Sequence, residues 1–198
     1  FFLLSTHYRS PIEFSDLLLQ EAEASIDKYY TTIMRIQDFV EKKTDGKEAL
    51  SKAGELFSAL LSSFFIGNFQ EAMDDDFNTA LAIGHIFELV RELNRFLDSR
   101  PSSFKDRQLV LAAKERLAEA GEILHLFGRT PPEWYASLMK VKSIGLSETE
   151  IHQKIKERQD ARLRKDWQLA DTIRRELEEK GIILEDKKDG TAWKVRVG

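Results

Sequence analysis

Apolar residues spaced three and four apart recur through most of this chain, and little interrupts them. Four prolines and ten glycines fall among 198 residues. Those two residue types end helices most effectively, so a chain poor in both favours long helical runs. Between Ser15 and Val40, residues Leu18, Leu19, Ala22, Ile26, Tyr29, Tyr30, Ile33, Ile36 and Phe39 return to one face at the helical period. Ala80 to Phe96 repeats the pattern with Leu81, Ile83, Ile86, Phe87, Val90, Leu93 and then Leu97. Helices with one apolar stripe stabilise each other by packing those stripes together, which predicts a bundle.

The breaks divide the chain. Residues 1–8 read as the end of a buried helix, stopped at Arg9-Ser10-Pro11 because the residue before proline avoids the α region. Ser15-Asp16 caps the next helix, and Lys42 to Lys47 is a loop. A helix from about Leu50 to Met73 is interrupted near Gly67-Asn68. Asp74-Asp75-Asp76-Phe77-Asn78-Thr79 marks a break and a new N-cap. Another helix runs from Asp106 to Phe127 and ends at Gly128. Thr130-Pro131-Pro132 opens a looser connection to about Gly145. Ser147 with Glu150 forms a capping-box start. Helices over 148–164 and 166–180 follow, with Gly181 as the stop. Two strand-like runs, Ile182-Ile183-Leu184 and Ala192 to Val195, are joined through the turn pair Asp189-Gly190. The expected fold is mainly α: an antiparallel helical bundle over 1–130, a linker over 131–146, and a small α-rich module with a C-terminal β-hairpin over 147–198.

Several kinds of chemistry find no residues to carry them. Cysteine is absent, which removes disulfides and thiolate ligands and fits a reducing compartment. His7, His85, His125 and His152 form no HxxxH or HExxH pair, so no zinc site is expected. There is no glycine-rich phosphate loop and no nucleophile elbow. Asp74-Asp75-Asp76 invites a metal reading, but three consecutive carboxylates do not converge from one turn. Capping and negative charge at a helix N-terminus explain the run better. Apolar runs such as Phe64-Phe65-Ile66 are too short to span a membrane. Phe1-Phe2-Leu3-Leu4 lacks the basic flank and cleavage site of a signal peptide, and residue 1 reads as an internal position of a longer protein.

Charge is unevenly distributed. The chain is net −4, yet residues 154–175 carry eight basic and four acidic side chains. A local basic stripe can hold phosphate on an acidic protein, because screening confines each field to about 8–10 Å. Arg158 and Arg162 share a helix face, and Lys165 follows three residues on. Arginine forks match phosphate and guanine edges. Trp167 sits among these charges, with Asp171 four residues beyond. An exposed indole stacks on a base, and a carboxylate accepts from base amino groups. The residues equally permit a solvated mixed-charge face, with Trp167 packed on Leu163 and Ile183. A non-enzymatic helical scaffold that binds a protein partner fits that second reading.

Three stretches resemble the cysteinyl-tRNA synthetase family. The segment Phe2 to Ser15 is similar to its FLLSxHYRSPLNFS motif, and Ala72 to Thr79 to its AMDDDFNT signature. In the tail, Arg162, Lys165-Asp166-Trp167, Ala170-Asp171, Arg174, Gly181-Ile182, Leu184-Glu185-Asp186 and Gly190-Thr191-Ala192-Trp193 follow the family pattern in order and spacing. Residues 40–65 and 98–145 agree in helical character more than in identity. The resemblance implies a DALR-type bundle lying along the tRNA stem and a C-terminal module that binds the anticodon of tRNA-Cys. It places Arg162, Trp167, Asp171 and Asp186 at anticodon-contacting positions. Thr191 and Trp193 fall in the hairpin that shapes the site. The family's HIGH and KMSKS motifs and zinc-binding cysteine are absent. The expectation is therefore a cytoplasmic, monomeric part of a cysteine–tRNA ligase, without a cofactor of its own. Its partners are tRNA-Cys and a catalytic half that carries the parent's zinc and ATP sites.

Overall fold

The structure is a computed structural model that describes residues 1–46, 48–141, 145–187 and 190–196. They fall into two compact units, one running to Pro131 and the other starting at Pro132.

The first unit contains α1 (Asp16–Glu41), α2 (Lys52–Ser63), α3 (Gln70–Asp74), α4 (Thr79–Asp98) and α5 (Phe104–Ile123). Helix α4 lies at the centre and touches α1, α2, α3 and α5. Its stripe of Ala82, Ile83, Ile86, Leu89, Val90, Leu93 and Phe96 is buried. Each buried Ile, Leu, Val or Phe side chain of this stripe stabilises the fold by about 1.5–3 kcal/mol. From α1 come Ala22, Tyr29, Tyr30, Ile33 and Ile36, and from α5 Val110, Ala113, Leu117 and Ala120.

Polar side chains fix the helix registers. Asn94 of α4 donates to Thr32 Oγ1 of α1 (2.7 Å) and to its own Val90 carbonyl (2.9 Å). Arg35 of α1 donates to both Asn94 and Asp98. Asp106 serves two helix starts. Its Oδ1 accepts from the Ser51 backbone N–H and hydroxyl (both 3.1 Å) at the head of α2, and its Oδ2 accepts from Ser103 N (3.4 Å) in the capping box of α5. A Cβ on Gly54 would meet that Oδ1 at 2.3 Å, so any side chain there must displace the carboxylate.

The interruption expected near Gly67-Asn68 is a π-helical turn over Phe64–Phe69, which buries Phe64 and Phe69. Asn78 caps α4 by accepting from Leu81 N (3.1 Å). The aspartate run is not the N-terminal charge expected of it. Asp74 ends α3 and Asp75 is its C-cap. Asp76 turns back at φ 53° to take Tyr8 Oη (2.9 Å) and Arg9 (3.1 Å), so its charge is held by the N-terminal segment. That segment is not a buried helix. Phe2–Ser5 is a short 3₁₀ turn with Leu3 exposed, closed by Ser5 Oγ on Phe2 O (2.8 Å) and ended by an extended Thr6.

Helix α5 begins at Phe104 and stops at Ile123, before Gly128. Leu126 N bonds Gly121 O (2.7 Å) and His125 N bonds Glu122 O (3.0 Å), with His125 at φ 50°. This left-handed cap satisfies the last carbonyls early. The turn then lays Phe127 on the Tyr29 ring, with centroids 3.9 Å apart.

The second unit contains α6 (Pro131–Val141), α7 (Glu148–Leu163), α8 (Trp167–Glu179), β1 (Ile182–Lys187) and β2 (Gly190–Val195). Residues 131–141 were expected in a loose connection but form α6. Proline suits the first helical position, where its missing N–H has no partner to lose. Helices α7 and α8 form an antiparallel hairpin tied by Lys154–Glu176 (2.7 Å). The antiparallel strands pair Ile182 with Val195, Leu184 with Trp193 and Asp186 with Thr191. Asp189, half of the expected turn pair, lies outside the described residues. Among the described residues, no helix is long and apolar enough to cross a membrane.

Candidate nucleic-acid interface

The turn between α7 and α8 is built by two successive caps. Lys165 adopts φ 62°, while its N–H bonds Arg162 O (3.0 Å) and Asp166 N bonds Ala161 O (2.9 Å). Asp166 then caps α8, accepting from Leu169 N (3.1 Å). Trp167 thus becomes the first residue of α8. The buried stripe of α8 is Ala170, Ile173 and Leu177, and Trp167 continues it one turn back. There it overruns the packed region, so the side chain is 58% exposed. The core role permitted by the sequence is not what the fold gives it. Leu163 is 82% and Leu169 41% exposed on either side of Trp167 in sequence. Sequence reasoning named Leu163 only as a packing partner of Trp167 and did not single out Leu169, since periodicity does not tell where a stripe outlasts its cover.

A second cluster is centred on Asp186. Alternation along β1 puts Ile182, Leu184 and Asp186 on one face, and register sets Thr191 opposite Asp186. Ile182 and Leu184 are buried there, so the carboxylate continues an inward-facing row. On α7, Ile151, Ile155 and Arg158 form the buried stripe, which puts a guanidinium in a core position. Arg158 meets Asp186 as a fork, with Nη1–Oδ1 and Nη2–Oδ2 both at 2.8 Å. Thr191 Oγ1 donates to Oδ1 (2.9 Å), and Arg162 Nη1 donates to Oδ2 (3.1 Å).

These contacts set the electrostatics. The hydrogen bonds from Arg158 outweigh partial burial and, with Thr191 and Arg162, hold the Asp186 carboxyl well below the usual carboxylate range. Asp186 in turn raises the pKa of Arg158, helped by the nearby Asp171 charge. The pair is ionised wherever the protein is folded and near neutral pH.

The sequence grouped Arg158 with Arg162 on one helix face. Their side chains are 6% and 45% exposed, respectively. Arg158 lies beneath the surface with its fork taken by Asp186, because it occupies the apolar stripe of α7. Arg162, one turn on, clears the core. Asp171 is exposed on α8, and Lys165 is exposed in the turn. Trp193 sits two register pairs from Thr191 and meets His152 edge to face, with centroids 6.2 Å apart. The structure therefore bonds Arg158, Arg162, Asp186 and Thr191 directly. Lys165 and Trp167 stand at the α7–α8 turn, and Trp193 stands against the first turns of α7. Among the described residues, no group of three His, Asp or Glu side chains is placed to hold a metal ion.

Comparison with known proteins accounts for both units. Residues 68–128 match the DALR domain, and residues 146–193 match the cysteinyl-tRNA ligase anticodon binding domain. The second match spans all eight residues singled out from the sequence. The chain is similar to the cysteine–tRNA ligase of Thermodesulfovibrio yellowstonii, 49% identical over 99% of this chain and 40% of that protein. It is also similar to those of Geobacter metallireducens (42% identical, 99% of this chain, 40% of that protein) and Pelobacter propionicus (40% identical, 99% and 41%). The chain spans about 40% of the length of these relatives. In the region it covers, the chain belongs to the cysteine–tRNA ligase family, carrying its DALR domain and its anticodon-binding domain.

Proposed function

We propose that the second unit binds the anticodon loop of tRNA-Cys, as part of a cytoplasmic, monomeric cysteine–tRNA ligase. The observation that carries this reading is the exposed Trp167 indole at the head of α8. A ring of that size on a charged surface is a stacking platform, worth about 1–3 kcal/mol per base. Arg162 at the end of α7 and Lys165 in the turn that follows it supply positive charge. Asp171 and Asp186 supply acceptors for base amino groups. Arg158 and Thr191 position Asp186, and Trp193 supports the hairpin against α7. The bundle of the first unit lies along the tRNA stem. Cysteine activation, with the ATP and zinc it uses in this family, belongs to the remaining length of such a ligase.

The test is binding of labelled tRNA-Cys and of an anticodon-substituted variant, each at two salt concentrations. Preference for tRNA-Cys, with affinity falling as salt rises, is expected. Equal binding of the two RNAs would reduce the site to backbone contact. Binding insensitive to salt would point to an apolar contact of the kind a protein partner makes.

A further inference from the structure

The acceptors of Asp186 are already full. Oδ1 takes Arg158 Nη1 and Thr191 Oγ1, and Oδ2 takes Arg158 Nη2 and Arg162 Nη1. An ionised carboxylate offers about four lone-pair positions, so none remains for an incoming donor. The four contacts are not held equally. Arg158 is buried in the α7 stripe, and Thr191 is fixed by strand register. Arg162 is 45% exposed and makes the longest of the four contacts, 3.1 Å. An exposed pair of this kind is weak.

Resting on the RNA-binding reading above, we infer that Arg162 is a displaceable placeholder on Asp186. When an unpaired RNA loop binds, the exocyclic amino group of a nucleobase takes the Oδ2 position, and the released guanidinium turns to acceptors on the RNA. Arg158 stays and keeps the carboxylate oriented. The exchange leaves no charge unpaired: one N–H donor replaces another at Oδ2, and the cation moves onto a polyanion. When the base lacks that amino group, Arg162 returns to Asp186. The site thus reads the amino group against an internal competitor.

The experiment uses the full chain with ¹⁵N-labelled arginine and a synthetic RNA hairpin carrying the tRNA-Cys anticodon loop. Parallel hairpins remove one exocyclic amino group at a time, with inosine for guanosine, purine riboside for adenosine or zebularine for cytidine. Arg162 guanidinium signals, identified by their loss in Arg162→Met, should shift at saturation with the parent hairpin. They should return to their free positions with one amino-less hairpin, while Arg158 signals hold their bonded character throughout. Affinities give a second reading. The loss on removing that amino group should be about fivefold to tenfold larger in Arg162→Met than in the wild type, because nothing returns to fill Oδ2. Arg162 signals unmoved by bound RNA, or equal losses in the two proteins, would overturn the exchange and leave RNA binding intact. Failure of the parent hairpin to bind the wild type at all would overturn both readings.

Discussion

Replacing Asp186 with asparagine should cost much more stability than replacing its partner Arg158 with methionine. The asymmetry follows from burial. Arg158 is 6% exposed at the side chain and keeps its charge at every accessible pH, whereas Asp186 is 41% exposed. Removing the carboxylate strands a buried cation. Severing a fully buried pair costs about 3–5 kcal/mol, and an exposed pair about 0–1 kcal/mol. The exposure of Asp186 places Asp186→Asn between these limits, at about 2–3 kcal/mol. In Arg158→Met, Asp186 keeps Thr191, Arg162 and water, and the methionine stem keeps the apolar contacts of the arginine stem. That change should cost about 1 kcal/mol. The assay is urea unfolding followed by tryptophan emission. Trp134, Trp167 and Trp193 are the three tryptophans of the chain, and all lie from Pro132 on, so the signal reports the second unit alone. The pH dependence has a fixed sign. The folded pKa of Asp186 is depressed, so its stabilisation is present above the unfolded value, about 4, and fades as pH falls below it. Wild type and Asp186→Asn should therefore converge in acid. An Arg158→Met protein as unstable as Asp186→Asn, or a gap that does not narrow below about pH 4, would refute the reasoning.

Three further outcomes are expected. Trp167→Ala should weaken tRNA-Cys binding by roughly 5–100-fold with little change in stability; a blue Trp167 emission that ignores added RNA would contradict the exposed placement. Gly54→Ala forces a Cβ to 2.3 Å from Asp106 Oδ1, so it should lower the melting midpoint of the first unit by displacing the carboxylate that serves α2 and α5, at about 1–3 kcal/mol; an unchanged midpoint on circular dichroism would show that the site relaxes freely. Asn78→Ala removes the bond to Leu81 N and should destabilise the first unit by about 1 kcal/mol in denaturant titration, with the Asn78→Asp protein close to wild type.

Most of the fold was legible because helix formation is governed by local periodicity and punctuation. The stripe of α4, the cap at Ser15, the capping box at Ser147, the interruption near Gly67 and the hairpin strands all appear in the chain order of residues. Misreadings came where one local signal was allowed to decide alone. Pro131-Pro132 signals a stop or a start, and here it starts α6. Gly128 suits a helix end, but α5 closes five residues earlier on His125 so that Phe127 can stack on Tyr29, a residue almost a hundred positions away. No window of sequence contains that contact.

The candidate site divides along the same line. By itself, the sequence determined which side chains the tail carries, their helical spacing, and, through three motifs, the family they resemble. It put Arg158 and Arg162 four apart and treated them alike. Only the tertiary structure separated them. The apolar stripe of α7 takes Arg158 into the core, where strand register delivers Asp186 to its fork, and leaves Arg162 at the rim. It also decided that Trp167 faces solvent, because the stripe of α8 outruns the surface that covers it. Burial and counter-charge are set by what a distant segment brings alongside, and that information exists only once the chain has folded.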